Sequence, residues 1–336
     1  MIHNVSQASD VLSASQMKAC NVFMQPNYAK HVSGKNYSVI YVYSGTYIMP
    51  VQIIRKAVFK YCVFLDEPFA YSKEEESAKC FLDSVCDYLW SKLGVQWVNQ
   101  TPAYAFFMDY PTGAKHIPFG SHVVDLANDE EVLFSNVHSK HRNVIKKAQK
   151  DGVVIEKGRT DKLIDDYYNL DVQTWNRSGR KSSGKERIRR QIEDLGENAI
   201  IYMAYIDGEA QSGALYYFND NMCYYMHGAN KNNPHIGSGN LLQWRAMMDM
   251  KSQGVRKFSF VGCRINEDEN SKYHGIQRFK ERFGGPVVEG IMFKKVLNPY
   301  MSSLSCLMTR FLNLKRSGRF ALNIDVIDSE IHKWPQ

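Results

Sequence analysis

The sequence predicts a mixed α/β protein in which two subdomains of similar plan follow one another. Each half of the chain has strand-like runs joined by turn residues, followed by a strand, a helix and another strand. A chain of 336 residues with 44% hydrophobic content can also form about two domains, each with its own core. We therefore expect one subdomain over residues 1–126, a second over 127–296 and a tail over 297–336.

The composition limits the classes of partner and compartment. A net charge of +7 and an isoelectric point near 8.9 favour an anionic partner, such as nucleic acid, a nucleotide-carrying substrate or a membrane surface. Seven scattered cysteines with no C-x-x-C pair are typical of reduced thiols in the cytosol. The sequence shows neither a signal-peptide pattern nor an apolar run of about 18 residues. We expect a cytoplasmic protein without a transmembrane segment.

Strand-like runs in the first half predict a meander over residues 39–43, 47–54 and 57–65. Ser72 and Glu75 have the spacing of a capping box, which predicts a helix that ends at Gly94 and is followed by a strand over 95–99. The loop before this helix contains two carboxylates and no glycine. We therefore do not expect it to hold a phosphorylated cofactor.

A strand over 121–126 and a helix over 128–152, capped by Asn128, are predicted where the two halves join. One side of this helix is apolar, and much of the rest is basic through Lys140, Arg142, Lys146, Lys147 and Lys150. This basic surface is either simply solvated or attracts a phosphate-bearing substrate. In the second case Arg142 is a candidate substrate-binding residue.

In the second half, helical apolar spacing predicts helices over 160–175, 188–195 and 240–252. Alternating apolar patterns predict strands over 199–206, 210–218, 222–227, 256–261 and 287–296. The polar loop 177–184 between the first two helices is rich in hydroxyl groups and cations, and it could close over a site.

A glycine-bearing loop precedes the predicted helix over 240–252 and contains Gly237, Ser238 and Gly239. The free N–H groups of a helix start attract phosphate or a developing oxyanion, and glycine allows the ligand to approach closely. On this interpretation these three residues and Asn240 bind a donor substrate. The alternative is a flexible entry loop in which Ser238 is only the helix cap.

The tail is amphipathic and basic, with Met301, Leu304, Leu307, Met308, Phe311 and Leu312 among Arg310, Lys315, Arg316 and Arg319. It either docks as a helix onto the body of the protein or contacts a membrane surface near a lipid-linked substrate.

Two blocks of sequence resemble the Fem family of aminoacyl transferases and the broader FemAB-like branch of the GNAT acyltransferases. The first is His-Ser-Lys-His-Arg-Asn-Val-Ile-Lys-Lys-Ala-Gln-Lys-Asp-Gly over 138–152. The second combines Leu-Leu-Gln-Trp over 241–244 with Gly-Ile-Gln-Arg-Phe-Lys-Glu-Arg-Phe-Gly-Gly over 275–285. The resemblance covers residues 121–296 best. It implies two GNAT-like subdomains in tandem and transfer of an acyl or aminoacyl group to an amine.

The resemblance also implies roles for individual residues. Phe279 and Lys280 match the Phe-Lys pair of the family, whose lysine assists transfer near the donor ester. Arg177 stands where the family often has an arginine that meets the phosphates of the acceptor. In the peptidoglycan-bridge members the donor is aminoacyl-tRNA and the acceptor is a muropeptide precursor. The family therefore implies no tightly bound cofactor.

Two departures from the family leave the donor open between acyl-CoA and aminoacyl-tRNA. The chain has no long coiled-coil arm of the kind inserted in many bridge-forming members, which weakens the case for tRNA. The coenzyme A loop of GNAT enzymes resembles Q/R-x-x-G-x-G/A, whereas the residue three before Gly237 is Pro234. A different class of function is a non-catalytic RNA- or nucleotide-binding module on the same fold.

Two other kinds of site have weaker support. His138 and His141 share a helix face, but because no third ligand accompanies them we expect no metal site. Cys263 follows a predicted strand and is either a nucleophile or a buried structural thiol.

Overall fold

In the computed structural model, the chain is described over residues 1–73, 76–265, 267, 271–317, 320 and 324–334. Glu75 of the predicted capping box and Arg319 of the tail lie outside these residues. The protein consists of two compact units. Unit 1 comprises Met1–Gly120 and Glu289–Gln336, and unit 2 comprises Ser121–Val288.

The strands are β1 (His3–Val5), β2 (Tyr37–Tyr43), β3 (Tyr47–Lys56), β4 (Phe59–Phe64), β5 (Phe69–Ala70), β6 (Trp97–Val98), β7 (Lys115–Asp125), β8 (Val154–Gly158), β9 (Ala199–Ile206), β10 (Glu209–Phe218), β11 (Met222–Asn230), β12 (Lys257–Ser259), β13 (Cys263–Arg264) and β14 (Val287–Val296). The α-helices are α1 (Ala14–Ala19), α2 (Pro26–His31), α3 (Ala78–Ser91), α4 (Glu130–Asn136), α5 (Ser139–Lys150), α6 (Asp161–Arg177), α7 (Lys185–Leu195), α8 (Ser238–Ser252), α9 (Lys272–Glu281), α10 (Pro299–Ser317) and α11 (Val326–Glu330).

Unit 1 contains a mixed sheet with strand order β1-β2-β3-β4-β6-β14. The strands from β1 to β4 pair antiparallel, as does β6 with β14, whereas β4 and β6 run parallel. The predicted meander is confirmed as β2, β3 and β4. Helix α3 covers the sheet because Phe81, Val85 and Leu89 recur every four residues and pack with Val51 and Phe64 in the core.

The start of α3 differs from the prediction. The helix begins at Ala78, and Ser77 is its N-cap, whose hydroxyl accepts a hydrogen bond of 3.2 Å from the N–H of Cys80. Ser72 lies several residues before the helix. A capping box is only a local pattern. Ser77, which lies nearest the apolar stripe, is the N-cap instead of Ser72.

In unit 2 the strand order is β7-β12-β11-β10-β9-β8, again with mixed directions. Of its pairs only β11 and β12 run parallel. Helix α8 connects these two strands and buries Leu242 and Met247 against Tyr202 and Tyr216 of the sheet and Ile145 of α5. The predicted strand-helix-strand core of the second half is thus confirmed.

The single helix predicted over 128–152 is two helices. Asp129, not Asn128, is the N-cap of α4. Val137 then adopts extended backbone angles, with φ −65° and ψ 131°, and α5 begins after His138. The apolar stripe continues through the break, so periodicity alone does not reveal it.

The tail is tied to unit 1 by α11. Ile327 is fully buried among Ile117, Phe119 and Met292, and Lys294 forms an ion pair of 2.6 Å with Asp325, the N-cap of α11. Because β14 pairs with β6 and supplies part of this core, unit 2 ends before the expected boundary at 296. None of the helices that the structure describes is both long and apolar enough to cross a bilayer.

Candidate active site

The two parallel strands of unit 2 separate at one end and leave a cavity between them. β11 and β12 pair only over 222–224 and 257–259. β11 continues along β10 to Asn230, whereas the chain after β12 stays with β7, where the Phe260 N–H donates to the carbonyl of His122 at 2.9 Å. A cavity of about 890 Å³ is lined by residues from both diverging segments.

β11 carries a bulge where it borders the cavity. Leu215 on β10 faces His227, and the next residue, Tyr216, faces Tyr225, so Met226 has no partner on β10. Tyr225 and Met226 both line the cavity. A bulge bends its strand and turns side chains toward a new direction. Sequence reasoning missed this feature because an extra residue leaves no mark in so short an apolar run.

Helix α8 starts at the wall of the same cavity. Gly237 is its N-cap, with φ 89°, and the helix begins at Ser238. Among the residues that the structure describes, the N–H groups of Gly239 and Asn240 have no hydrogen-bond acceptor. The four residues from Gly237 to Asn240 all line the cavity. The helix start therefore offers unpaired N–H groups and the positive end of the helix dipole to a ligand.

Ser238 is not the helix cap. Its buried hydroxyl donates to the carbonyl of His235 at 2.9 Å and lies 3.0 Å from the hydroxyl of Ser212 on β10. The side chain thus ties the glycine-bearing loop to the sheet. Only the backbone at this position belongs to the helix start.

Gly237 and Gly239 are required for different reasons. A Cβ at Gly237 would lie 2.2 Å from the carbonyl oxygen of Val144, so glycine lets α8 pack directly on α5. A Cβ at Gly239 would lie 3.5 Å from the hydroxyl of Ser212, which is an ordinary contact. Gly239 is therefore not needed for packing, and its lack of a side chain leaves the cavity wall open.

Helix α9 brings Lys280 to this cavity. Its Nζ donates hydrogen bonds to the carbonyls of Val261 and Gly262, the latter at 2.9 Å. Both residues adopt left-handed backbone angles, with φ of 47° and 69°, where the chain leaves β12. An ammonium group has three N–H donors, so one remains for a ligand. Burial lowers the pKa of Lys280 to about 8.

The start of α5 holds the end of α9. The N–H of His138 donates to the carbonyl of Arg282 at 2.8 Å, and the buried imidazole of His141 donates to the carbonyl of Phe279 at 3.0 Å. Burial lowers the pKa of His141 to about 4, so this ring is neutral near pH 7. Residues of the first block that resembles the family, 138–152, therefore hold the helix formed by the second block, 275–285.

Gln277 fixes α9 on another side. Its side-chain oxygen accepts the N–H of Arg264 at 3.1 Å, and its amide nitrogen donates to the carbonyl of Arg264 at 2.8 Å. This pair of bonds imitates a strand pairing with β13. Neither Gln277 nor His141 was predicted to position Lys280. A helical pattern shows which residues share a face, but it does not show which residues of other elements they contact.

Arg177 lies at the cavity, as the resemblance implies for a substrate-binding residue. It is the last residue of α6, and its guanidinium donates to the side chain of Asn232 at 2.5 Å and to the carbonyl of Asn230 at 3.0 Å. Thr174, one turn earlier, also lines the cavity. The guanidinium is therefore held in place, although the residue is exposed.

Arg142 is not among the residues that line this cavity. Its guanidinium donates to the carbonyls of Ser135 and Val137 at 2.7 and 2.6 Å. These carbonyls belong to the end of α4, so Arg142 caps that helix where the chain turns into α5.

Cys263 is buried beside the cavity wall. Its Sγ lies 3.7 Å from Nε2 of His122 and accepts a hydrogen bond of 3.6 Å from Gln277. Cys263 is not one of the described residues that line the cavity. These contacts favour the interpretation of Cys263 as a structural thiol. Within the described part of the chain, no group of His, Cys, Asp or Glu side chains is arranged to hold a metal ion.

Comparison with known proteins finds similarity that lies within unit 2 for the family match. Residues 135–281 match the family described as acetyltransferase (GNAT) domain. A segment of 114 residues, 33% of this chain, is 29% identical to lipid II:glycine glycyltransferase of Staphylococcus haemolyticus (strain JCSC1435). The match spans only 27% of the length of that relative.

Solved structures share the fold over most of the chain. The crystal structure of FemX matches with a TM-score of 0.68 at 13% identity, over 90% of this chain and 99% of FemX. A tandem GNAT protein from the clavulanic acid biosynthesis pathway matches with a TM-score of 0.54 at 12% identity, over 89% of this chain and 99% of that protein. The predicted fold class, a tandem of two mixed α/β subdomains, is confirmed.

Proposed function

We propose that the chain, which is similar to the FemAB-like branch of the GNAT superfamily, transfers an acyl or aminoacyl group from an activated donor to an amine. One observation carries this proposal. The start of α8, with two unpaired N–H groups, and the Nζ of Lys280 open onto the same cavity of unit 2. Such a cavity can bind a phosphate-bearing donor and stabilise charge on the group being transferred.

In the proposed reaction, the neutral acceptor amine attacks the carbonyl carbon of a thioester or ester. The new C–N bond forms, the C–S or C–O bond breaks, and the proton lost by the amine ends on the leaving group, directly or through water. The remaining N–H of Lys280 stabilises the oxygen that becomes negative in the tetrahedral intermediate. No covalent intermediate with the enzyme is needed.

The donor is acyl-CoA or aminoacyl-tRNA. Both carry phosphates, which suit the N–H groups of Gly239 and Asn240 and the exposed guanidinium of Arg177. The acceptor is an amine of a cell-envelope precursor or of a small molecule. Similarity to a lipid II:glycine glycyltransferase supports the first of these. We place the reaction in the cytoplasm.

The test is a transfer assay with the full chain. Radiolabelled acetyl-CoA and radiolabelled glycyl-tRNA are each offered with a muropeptide precursor, and label on the precursor is measured. We expect transfer from one donor only, and loss of transfer in Lys280→Ala.

Calorimetry with coenzyme A and with uncharged tRNA completes the design. Tight binding of one of them without any transfer would favour the non-catalytic binding module. Failure to bind either would contradict the assignment of this cavity to the donor.

A further inference from the structure

Helix α10 of unit 1 exposes its apolar side to solvent. Seven apolar side chains repeat every three or four residues along it and are between 42 and 86% exposed: Tyr300, Leu304, Leu307, Met308, Phe311, Leu312 and Leu314. We call this surface the apolar face of α10. Among the α10 side chains that the structure describes, none belongs to a core cluster.

The polar side of α10 is the one that faces the protein. Ser302, Ser305, Thr309 and Asn313 recur at helical spacing on the other side and are each half-buried. An amphipathic helix on the surface of a globular protein normally has the reverse orientation. The helix therefore does not use its apolar face to pack on unit 1.

The elements that precede and follow α10 in the sequence are packed on unit 1. β14, which precedes it, is paired in the sheet of unit 1. α11, which follows it, is anchored by the buried Ile327 and by the ion pairs of Lys294 with Asp325 and Asp328, both at 2.6 Å. Helix α10 thus lies between two packed elements in the sequence.

The charge of this segment is of one sign. The sequence contains no Asp or Glu between Glu289 and Asp325. Lys294 and Lys295 of β14 pair with Asp side chains of unit 1. Four further cations follow in the sequence: Arg310, Lys315, Arg316 and Arg319. On α10 itself, Arg310 and Lys315 are exposed. The segment is therefore complementary to an anionic surface and would repel a second copy of itself.

We propose that α10 lies in the interface of an anionic lipid bilayer, with its apolar face among the acyl chains. Contiguous exposed apolar patches of this kind mark interaction sites, and a helix with a polar side lies on a bilayer and does not span it. Cations near the surface add attraction to anionic lipids. The long side chain of Lys315, within the apolar face, can extend its ammonium to the headgroups. This inference does not depend on the proposed transferase activity.

Sedimentation of the full chain with lipid vesicles tests the proposal. We expect binding to vesicles of phosphatidylcholine and phosphatidylglycerol, weaker binding to phosphatidylcholine alone, and weakening of the first by salt. Phe311→Asp should lower the partition coefficient about tenfold or more, because it places a charge in the acyl region. Cys306→Asp adds the same charge at an exposed position on the other side of α10 and should retain most of the binding.

Two further measurements keep the result interpretable. Phe311 is 57% exposed, so Phe311→Asp should not change the melting temperature, and a large decrease would show that the residue is packed within the protein. Equilibrium sedimentation without lipid should give a monomer. A dimer that Phe311→Asp dissociates, or absence of binding to phosphatidylglycerol vesicles, would overturn the proposal.

Discussion

His141 donates its imidazole N–H to the carbonyl oxygen of Phe279, the residue immediately before Lys280. The ring is also in edge contact with Phe283, one turn further along the chain. His141 of α5 thereby fixes the position and rotation of α9 at the residue next to Lys280. The neutral form of the ring is needed, because a buried imidazolium would have no anionic partner on these contacts.

Stability should therefore depend on the protonation of His141. The unfolded chain binds this proton near the ordinary pKa of 6.5, and the folded protein only near 4. The stabilisation is thus present above pH 6.5 and is lost as the pH falls toward 4. Urea unfolding should show a loss of about 2 kcal/mol between about pH 7 and about pH 5.

The matched variant is His141→Gln, whose amide can still donate to Phe279 but does not titrate. Its unfolding free energy should vary less with pH over the same interval. His3→Gln, at an exposed position, should behave like the parent. An equally steep dependence in His141→Gln would assign it to other groups, of which His122 is the first candidate because burial lowers its pKa too.

Lys280→Ala should lower turnover about a hundredfold or more while leaving donor affinity nearly unchanged, because the lost N–H acts on charge that develops in the transition state. Rapid-quench measurement of a single turnover, with calorimetry for the donor, separates the two effects. Arg282→Ala is the control, since its backbone carbonyl and not its side chain receives the bond from His138. Equal turnover in both variants would remove Lys280 from the reaction.

The two glycines at the start of α8 should respond differently to substitution. Gly237→Ala should cost at least about 1 kcal/mol of unfolding free energy, because φ is 89° and the new Cβ would collide with the backbone of Val144. Gly239→Val should leave the melting temperature nearly unchanged and weaken donor binding about tenfold, since its side chain fills the cavity at the unpaired N–H groups. Differential scanning fluorimetry and calorimetry give both values. Unchanged donor affinity in Gly239→Val would place the donor elsewhere.

Arg142 and Arg177 form a second contrasting pair. Arg142→Ala should destabilise the protein by about 1–3 kcal/mol and leave donor and acceptor affinity unchanged, because its guanidinium serves the carbonyls that end α4. Arg177→Ala should change stability by less than about 0.5 kcal/mol but weaken binding of a phosphate-bearing substrate and reduce its salt dependence. The reverse pattern would mean that the basic side of α5 carries the substrate.

The order of helices and strands could be predicted because alternation and helical spacing record which side of each element is apolar. The positions of Lys280, Arg177 and the start of α8 on one cavity agree with the residues singled out from the sequence. Three features could not be predicted. At the break at Val137, the carbonyls that end α4 are bonded by the side chain of Arg142. The need for Gly237 depends on the approach of α5. The outward face of α10 depends on which side the neighbouring elements leave free. Each of these features depends on contacts that a local sequence pattern does not reveal.

The separation of β11 from β12 affects how far the sequence around the cavity can vary. Beyond Tyr224, the edge of β11 turned to the cavity has no strand partner among the described residues, so main-chain N–H and C=O groups border the cavity. Every sequence that folds this way supplies those groups, whatever its side chains. Chains that are only 13% identical can share this fold, so the same main-chain groups can persist while the residues that line the cavity differ.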